Sequence, residues 1–275
     1  MDSKGRYINP FTDFGFKKLF GTEFNKELLI NFLNQVLGDR ERIQDLTYLN
    51  TENLGNTEAD RRAIFDLYCE NEKGEKFIIE LQNVEQQYFK DRSIFYSTFP
   101  IQSQAPKGKK WDYRLKAVYT IGILNFSFPD RSDLERYLRE VQLIDRQTFE
   151  VFYDKLTFLY LEMPNFNKGE RELENQFDKW MYVLKNLHQL QERPTKIQEK
   201  IFDKLFNEAE IAKLTPEDMK AYEESLKVYR DSYSVIETAV NKKAIEIARK
   251  LKQRGVDINL IVETTSLTKE QIEKL

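Results

Sequence analysis

One cysteine and one histidine in 275 residues remove whole classes of chemistry. Cys69 alone closes no intramolecular disulfide, so nothing marks a secreted, disulfide-stapled domain. A lone His188 rules out Cys/His zinc clusters and leaves any His-based triad a single residue to use. Lying between Leu187 and Leu190 on an amphipathic segment, it reads as structural. Glycine and proline are scarce, 10 and 7, which favours helices over a turn-rich all-β fold. No apolar run approaches the roughly 20 residues of a membrane span. The N-terminus shows no signal-peptide h-region, and a cytoplasmic protein is expected. An excess of positive charge is missing too: 43 Lys+Arg face 46 Asp+Glu, a net charge of −3. Any attraction for nucleic acid must therefore come from local patches. Chemistry here has to run on carboxylates, amides, lysines and hydroxyls.

What is present suffices for a large core, with 40% hydrophobic and 13% aromatic residues. Apolar residues recur at helical spacing over residues 23–37, and Gly38 stands at the C-cap position. A shorter helix is predicted over residues 12–20, ended by Gly21. The pattern then turns to strands. Residues 43–50 alternate weakly, while residues 62–69 and 76–84 are strong β candidates flanking a turn signal at residues 71–74. A polar-aromatic helix follows over residues 86–104. Residues 116–126 form a near-continuous apolar run, as expected of a central strand buried on both faces. Residues 148–163 supply one or two more strands. Past Pro164 the grammar is helical: residues 172–191, 195–210, then a long helix from Thr215-Pro216-Glu217-Asp218 to about residue 254. Two short helical patterns close the chain. Three segments are expected: an α/β domain over residues 1–165, a helical region over 166–240, and a small helical tail over 241–275.

The hairpin around Gly74 places Asp66, Glu80 and Gln82 inside otherwise apolar strands. Period-2 geometry puts Glu80 and Gln82 on one face with Ile78 and Val84. A three-residue turn, 72–74, pairs Asn71 with Glu75 and sets Asp66 opposite Glu80, with Cβ atoms about 5 Å apart. A two-residue turn would instead oppose Asp66 to Leu81, so the reading hangs on one residue of register. Two like charges so close in a half-buried sheet are costly unless something positive lies between them. A divalent metal with oxygen ligands, Mg²⁺ or Mn²⁺, is the natural answer. In the competing reading both acids point to solvent from opposite sides of an ordinary hairpin.

The order Asp66, thirteen intervening residues, then Glu80-Leu81-Gln82 resembles the D…(D/E)-x-K hairpin of the PD-(D/E)xK nuclease superfamily. More narrowly, the opening Asn9-Pro-Phe-Thr-Asp13-Phe-Gly-Phe-Lys17-Lys-Leu-Phe20-Gly21, the Phe65-Asp66 strand and Ile79-Glu80-Leu81-Gln82 resemble the PD-(D/E)xK family transposases, also called recombination-promoting nucleases. The Tyr119-Thr-Ile-Gly-Ile-Leu-Asn-Phe126 strand and the tail from Thr264 to Leu275 are similar as well. The resemblance implies a restriction-endonuclease-like α/β core, a mixed central sheet flanked by helices, with an α-helical C-terminal region. It implies a Mg²⁺- or Mn²⁺-dependent DNA endonuclease linked to recombination or transposition. Asp66 and Glu80 become metal ligands, helped by the Leu81 carbonyl, and Gln82 takes the place of the superfamily's catalytic lysine. A lysine supplies positive charge beside the developing phosphorane, whereas an amide only orients. Lys17 or Lys18 is a candidate for that missing charge, against a plain solvated helix face. Asp13 is a candidate third acid, against a cap formed by Thr12-Asp13.

Basic residues cluster locally. Residues 90–116 hold seven basic side chains against two acidic, with Tyr96, Trp111 and Tyr113 interspersed. Lys107, Lys109 and Lys110 form a basic loop suited to phosphate contacts. Lys17, Arg62 (beside Arg61) and Arg92 complete the DNA-contact candidates. On the helix after the motif, Arg92, Tyr96 and Gln102 are spaced to face the active edge; in the ordinary alternative Ile94, Phe95 and Phe99 pack into the core. Residues 242–254 carry six basic side chains and one acidic, and lead into a helix–turn–helix pattern that serves equally as a packing or dimerising tail. DNA is the expected partner, no membrane is expected, and a homodimer through the helical C-terminal region is a candidate assembly. Two rivals to the nuclease remain: a catalytically inactive nuclease-fold module that binds DNA or protein, and a helical scaffold that only oligomerises.

Overall fold

The computed structural model describes residues 5–53, 63–105, 108, 111–129 and 136–275. The chain divides into two compact units, Met1–Ser225 and Leu226–Leu275.

The first unit is built on a mixed six-stranded sheet. Helix α1 (Asp13–Phe20) starts at Thr12, whose hydroxyl accepts the Gly15 N–H at 3.0 Å, and stops at Gly21, whose N–H donates to the Lys17 carbonyl at 2.7 Å. Helix α2 (Lys26–Leu37) buries Leu28, Leu29, Phe32, Leu33, Val36 and Leu37, and Gly38 ends it at φ +62°. The strands are β1 (Leu46–Tyr48), β4 (Leu67–Asn71), β5 (Lys76–Gln82), β6 (Val118–Leu124), β7 (Leu138–Ile144) and β8 (Val151–Glu162), in the order β1-β4-β5-β6-β8-β7. The three central strands β5, β6 and β8 run parallel, and the outer pairings are antiparallel. β6 is buried at all seven positions, as its apolar run predicts. A separate two-stranded ribbon joins β2 (Glu52–Asn53) to β3 (Ala63–Ile64).

Three details depart from the sequence expectation. The single strand expected over residues 62–69 is interrupted: β3 stops at Ile64 and β4 begins at Leu67, with Phe65 and Asp66 in the bend between ribbon and sheet. The β7 edge strand was not expected; its residues are half-buried or exposed, so no apolar alternation marks it. Helix α3 (Phe89–Gln102) turns a different face inward from the one its aliphatic residues suggest. Ile94 and Phe95 are 55% and 43% exposed, so the alternative in which they pack into the core does not hold, while Phe99 packs at its margin. The buried stripe is Phe89, Ser93, Ser97 and Pro100. Serine hydroxyls satisfied within the helix, Ser93 on the Phe89 carbonyl at 3.0 Å and Ser97 on the Ile94 carbonyl at 2.7 Å, bury at little cost. Small side chains at these positions let α3 lie close on the sheet.

On the opposite face, α1 and α2 pack with α4 (Gln176–Asn186) and α5 (Lys200–Ala209) around Trp180, whose ring lies 5.8 Å from Phe20, 5.6 Å from Phe32 and 5.0 Å from Phe202. The sheet is therefore covered on both sides by helices, with more helix after it, the α/β arrangement that the resemblance implies. Helix α6 (Pro216–Gln253) begins in this unit, where the Tyr222 hydroxyl accepts the Asn9 N–H at 3.0 Å.

The second unit comprises the rest of α6 with α7 (Ile258–Thr265) and α8 (Lys269–Glu273), closed on Ala248, Ile261, Leu267 and Ile272. Asp257 caps α7 and Thr268 caps α8. Among the described residues, no helix is long and apolar enough to cross a membrane.

Candidate active site

The turn that decides the register has three residues. The Asn71 N–H donates to the Glu75 carbonyl at 3.1 Å, and its side-chain oxygen accepts the N–H groups of Lys73 and Glu75 at 3.1 and 2.9 Å. Gly74 takes φ +81°, a conformation that disfavours side chains with a Cβ. Leu67 then pairs with Ile79 and Tyr68 with Ile78, which carries Asp66 opposite Glu80. The two acids interlock through the backbone. Asp66 Oδ2 accepts the Leu81 N–H at 2.7 Å, and Glu80 Oε1 accepts the Asp66 N–H at 3.4 Å. Among the described residues, Asp66 Oδ1 and Glu80 Oε2 accept no hydrogen bond and form no ion pair.

Both carboxylates are half-buried, and their acidity shows the strain. Burial raises the Asp66 pKa, with Asp13 adding to the rise and the Leu81 N–H, Lys17 and Arg92 opposing it. Burial together with the Asp66 charge pushes Glu80 up to about 8, against the pull of the Arg92 guanidinium. A hard divalent cation suits this donor set: two carboxylates and, among the described residues, an oxygen on each without a partner. Among the described residues no group of three or more His, Cys, Asp or Glu side chains converges to hold a metal. Two protein carboxylates completed by water and phosphate are a usual shell for Mg²⁺.

Gln82 lies two residues beyond Glu80 on the same face. Its amide Nε2 donates to the Val84 carbonyl at 2.9 Å, and its Oε1 accepts from Arg92 Nη2 at 2.5 Å. Arg92 reaches it from α3, with its guanidinium 5.4 Å from the Phe89 ring and 5.7 Å from the Tyr96 ring. Glu80, Arg92 and Tyr96 line a small pocket with Phe89, Ser93, Thr120, Gly122 and Tyr160. Gly122 stands beside Glu80 in the parallel pairing, and a Cβ there would come within 2.9 Å of the Tyr160 ring. Thr120 and Gly122 are contributions that sequence spacing alone does not reveal, since they come from the next strand over.

The remaining candidates divide. Arg92 and Tyr96 face the acids as their spacing predicts, whereas Gln102 is exposed. Lys17 lies near enough to influence Asp66 but pairs with Asp13 at 2.8 Å, and Lys18 pairs with Asp218 at 2.7 Å. The cap of α1 is Thr12, with Asp13 in its first turn. Asn83 Nδ2 donates to the Phe11 carbonyl at 2.7 Å, which ties the start of α1 to the end of β5. Arg61, Arg62, Lys107, Lys109 and Lys110 lie outside the described residues. In the second unit, Lys243 and Lys250 pair with Glu246, and Lys252 donates to the carbonyls of Ile272 and Glu273, so half of that basic stretch is used internally.

Neither the curated proteins nor the solved structures contain a match to this chain. A family model does match, over residues 10–239, a span that includes α1, the entire sheet and the Asp66–Glu80 hairpin. With that extent of agreement, the chain belongs to the PD-(D/E)XK nuclease family transposases.

Proposed function

We propose that this protein is a Mg²⁺- or Mn²⁺-dependent DNA endonuclease acting in recombination or transposition, with Asp66 and Glu80 as metal ligands. The observation that carries this reading is the like-charged pair at the open end of the hairpin: Asp66, just before β4, and Glu80 on β5 are half-buried, each carboxylate is held by a backbone N–H of the other arm, and among the described residues each keeps one oxygen without a partner. A bound divalent ion polarises the scissile phosphate and makes a bound water more acidic. In the overall step a water oxygen bonds to phosphorus, one P–O ester bond breaks, and the departing oxygen takes a proton. A phosphomonoester and a hydroxyl result.

The chain's own residues set the stage for that step. The Leu81 N–H fixes the Asp66 carboxylate, and the Asp66 N–H fixes Glu80. Gln82, held at both ends of its amide, retains one N–H with which to orient water or a phosphate oxygen. An amide takes no proton at neutral pH, so Gln82 positions and does not act as base. Lys17, Arg62, Arg92, Lys107, Lys109 and Lys110 are proposed DNA contacts. Self-association through α6, which exposes Val228, Val235 and Val240, is the proposed assembly, read by light scattering on the full chain.

The second reading is a nuclease-fold module that binds DNA or protein without turnover, favoured by Gln82 standing where the wider superfamily has lysine. Cleavage of supercoiled plasmid with and without Mg²⁺ or Mn²⁺ separates the two. Metal-dependent cutting that falls by about 1,000-fold or more in Asp66→Ala and Glu80→Ala supports the enzyme. DNA retention with no cutting in any divalent ion supports the module, and undiminished cutting in both variants removes the assigned site.

A further inference from the structure

The metal site proposed above has an electrostatic gap, since Gln82 brings no charge to the place of the motif lysine. Among the described residues, three cations are candidates to fill it, Lys17, Lys18 and Arg92, and they are not equivalent. Lys17 is held by Asp13 and Lys18 by Asp218. Each is neutralised by its own carboxylate, and Lys17 is half exposed. Arg92 is different. Among the described residues no carboxylate lies within ion-pair distance of it. Its fixed contacts are neutral: the Oε1 atoms of Gln82 and Gln86, and the ring faces of Phe89 and Tyr96. A half-buried guanidinium with no acid of its own, lining the same small pocket as Glu80, retains its full charge for the site. Two of its five N–H donors are spent on amide oxygens, and the others have no partner among the described residues.

Its placement follows from the packing of α3. The Phe89–Ser93–Ser97–Pro100 stripe faces the sheet, so Arg92 and Tyr96 stand on the flank that overlooks Glu80 and Gln82. Phe89 and Tyr96 hold the aliphatic stem and the guanidinium plane, which cuts the entropy lost when a phosphate is bound.

We propose that Arg92 supplies from α3 the positive charge that the motif lysine would supply from β5: its guanidinium fixes the Gln82 amide and donates its free N–H groups to non-bridging oxygens of the scissile phosphodiester. Gln82 is then the hinge between the strand and the charge, and the two residues together replace one lysine. Arg92 transfers no proton in this role; it balances the negative charge that grows on the phosphoryl oxygens as water attacks.

The test uses the full-length protein and two readouts, plasmid cutting and the salt dependence of binding to a short DNA duplex in Ca²⁺. Arg92→Met keeps the stem against Phe89 and Tyr96 and removes the charge together with the N–H groups that hold Gln82 and Gln86. It is expected to cut about 100-fold more slowly. Its log–log salt slope for duplex binding becomes shallower by about one, the loss of one phosphate contact. Adding Gln82→Lys to Arg92→Met returns charge to the same place, recovering at least about tenfold in cutting and the lost slope. Cutting by Arg92→Met within about threefold of wild type, while Asp66→Ala is inactive, overturns the Arg92 role and leaves the nuclease intact. A slow Arg92→Met that Gln82→Lys fails to rescue also overturns it, because packing rather than charge was lost. If wild-type protein cuts in no divalent ion, the nuclease reading fails, and the salt slope alone decides whether Arg92 contacts phosphate.

Discussion

The two ends of the β4–β5 hairpin carry the same kinds of residue and use them in opposite ways. Near the turn, Glu70 pairs across the strands with Lys76, and the two form an ion pair. The Asn71 side chain satisfies the turn, donating to Glu75 Oε2 at 2.8 Å. At the open end, just past the Leu67–Ile79 pair, Asp66 and Glu80 meet like against like, with an oxygen of each left over among the described residues. Buried acids elsewhere in the unit follow the turn's example. Glu162 is met by Arg139 at 3.1 Å and the Phe128 N–H at 3.0 Å. Asp178 is met by Lys168 at 2.8 Å and the Tyr137 hydroxyl at 3.0 Å. Glu162 and Asp178 each have a cation of their own, whereas among the described residues Asp66 and Glu80 have none, and frustration retained beside a pocket is what a functional site costs in stability.

Removing either member of the like-charged pair, as in Asp66→Ala or Glu80→Ala, is the largest break in that contrast and is expected to abolish metal-dependent cutting. A smaller effect isolates the repulsion itself. The folded-state pKa of Glu80 lies near 8, above its ordinary value of 4.5. The folded protein therefore holds that proton more tightly than the unfolded chain does. The stability linked to it is fully present below about pH 4.5 and is lost as pH rises towards 8. Glu80→Gln removes this dependence. In metal-free buffer the variant should match wild type near pH 4 and exceed it at pH 9 by on the order of 2 kcal/mol, allowing for solvent access to a half-buried carboxyl. Paired denaturation curves across pH check it, and a gap independent of pH would contradict the repulsion. At the turn end, Lys76→Met should cost no more than about 1 kcal/mol and leave cutting unchanged, since it breaks a partly exposed ion pair remote from the chemistry. A loss of cutting there would dissolve the distinction between the two ends.

Much of this was legible in the sequence because the turn residues fix the register. Asn71 and Gly74 have side-chain and backbone properties that a three-residue turn uses, and from that turn the opposition of Asp66 and Glu80 follows by counting. The all-buried β6 was readable from its apolar run. The β7 strand was not, because an edge strand with half-exposed residues lacks the periodic signal of a buried face. The phase of α3 stayed open between two faces for a related reason: serines that bond within the helix bury as readily as small apolar residues, so Ile94 and Phe95 are left outside. Spacing put Arg92 on the side of the acids, yet its bond to Gln82 and the lack of an acidic partner among the described residues are tertiary facts. The β3–β4 break at Phe65 and Asp66 is tertiary too, set by where the ribbon leaves the sheet.

Calorimetric titration of metal-free protein with Mn²⁺ tests the role of the frustrated pair most directly, since it needs no substrate and no turnover. Wild-type protein should bind Mn²⁺ at a site that disappears in Asp66→Ala and in Glu80→Ala while Lys76→Met retains it. Binding of equal affinity in wild type and in both alanine variants would show that the opposed carboxylates hold no metal.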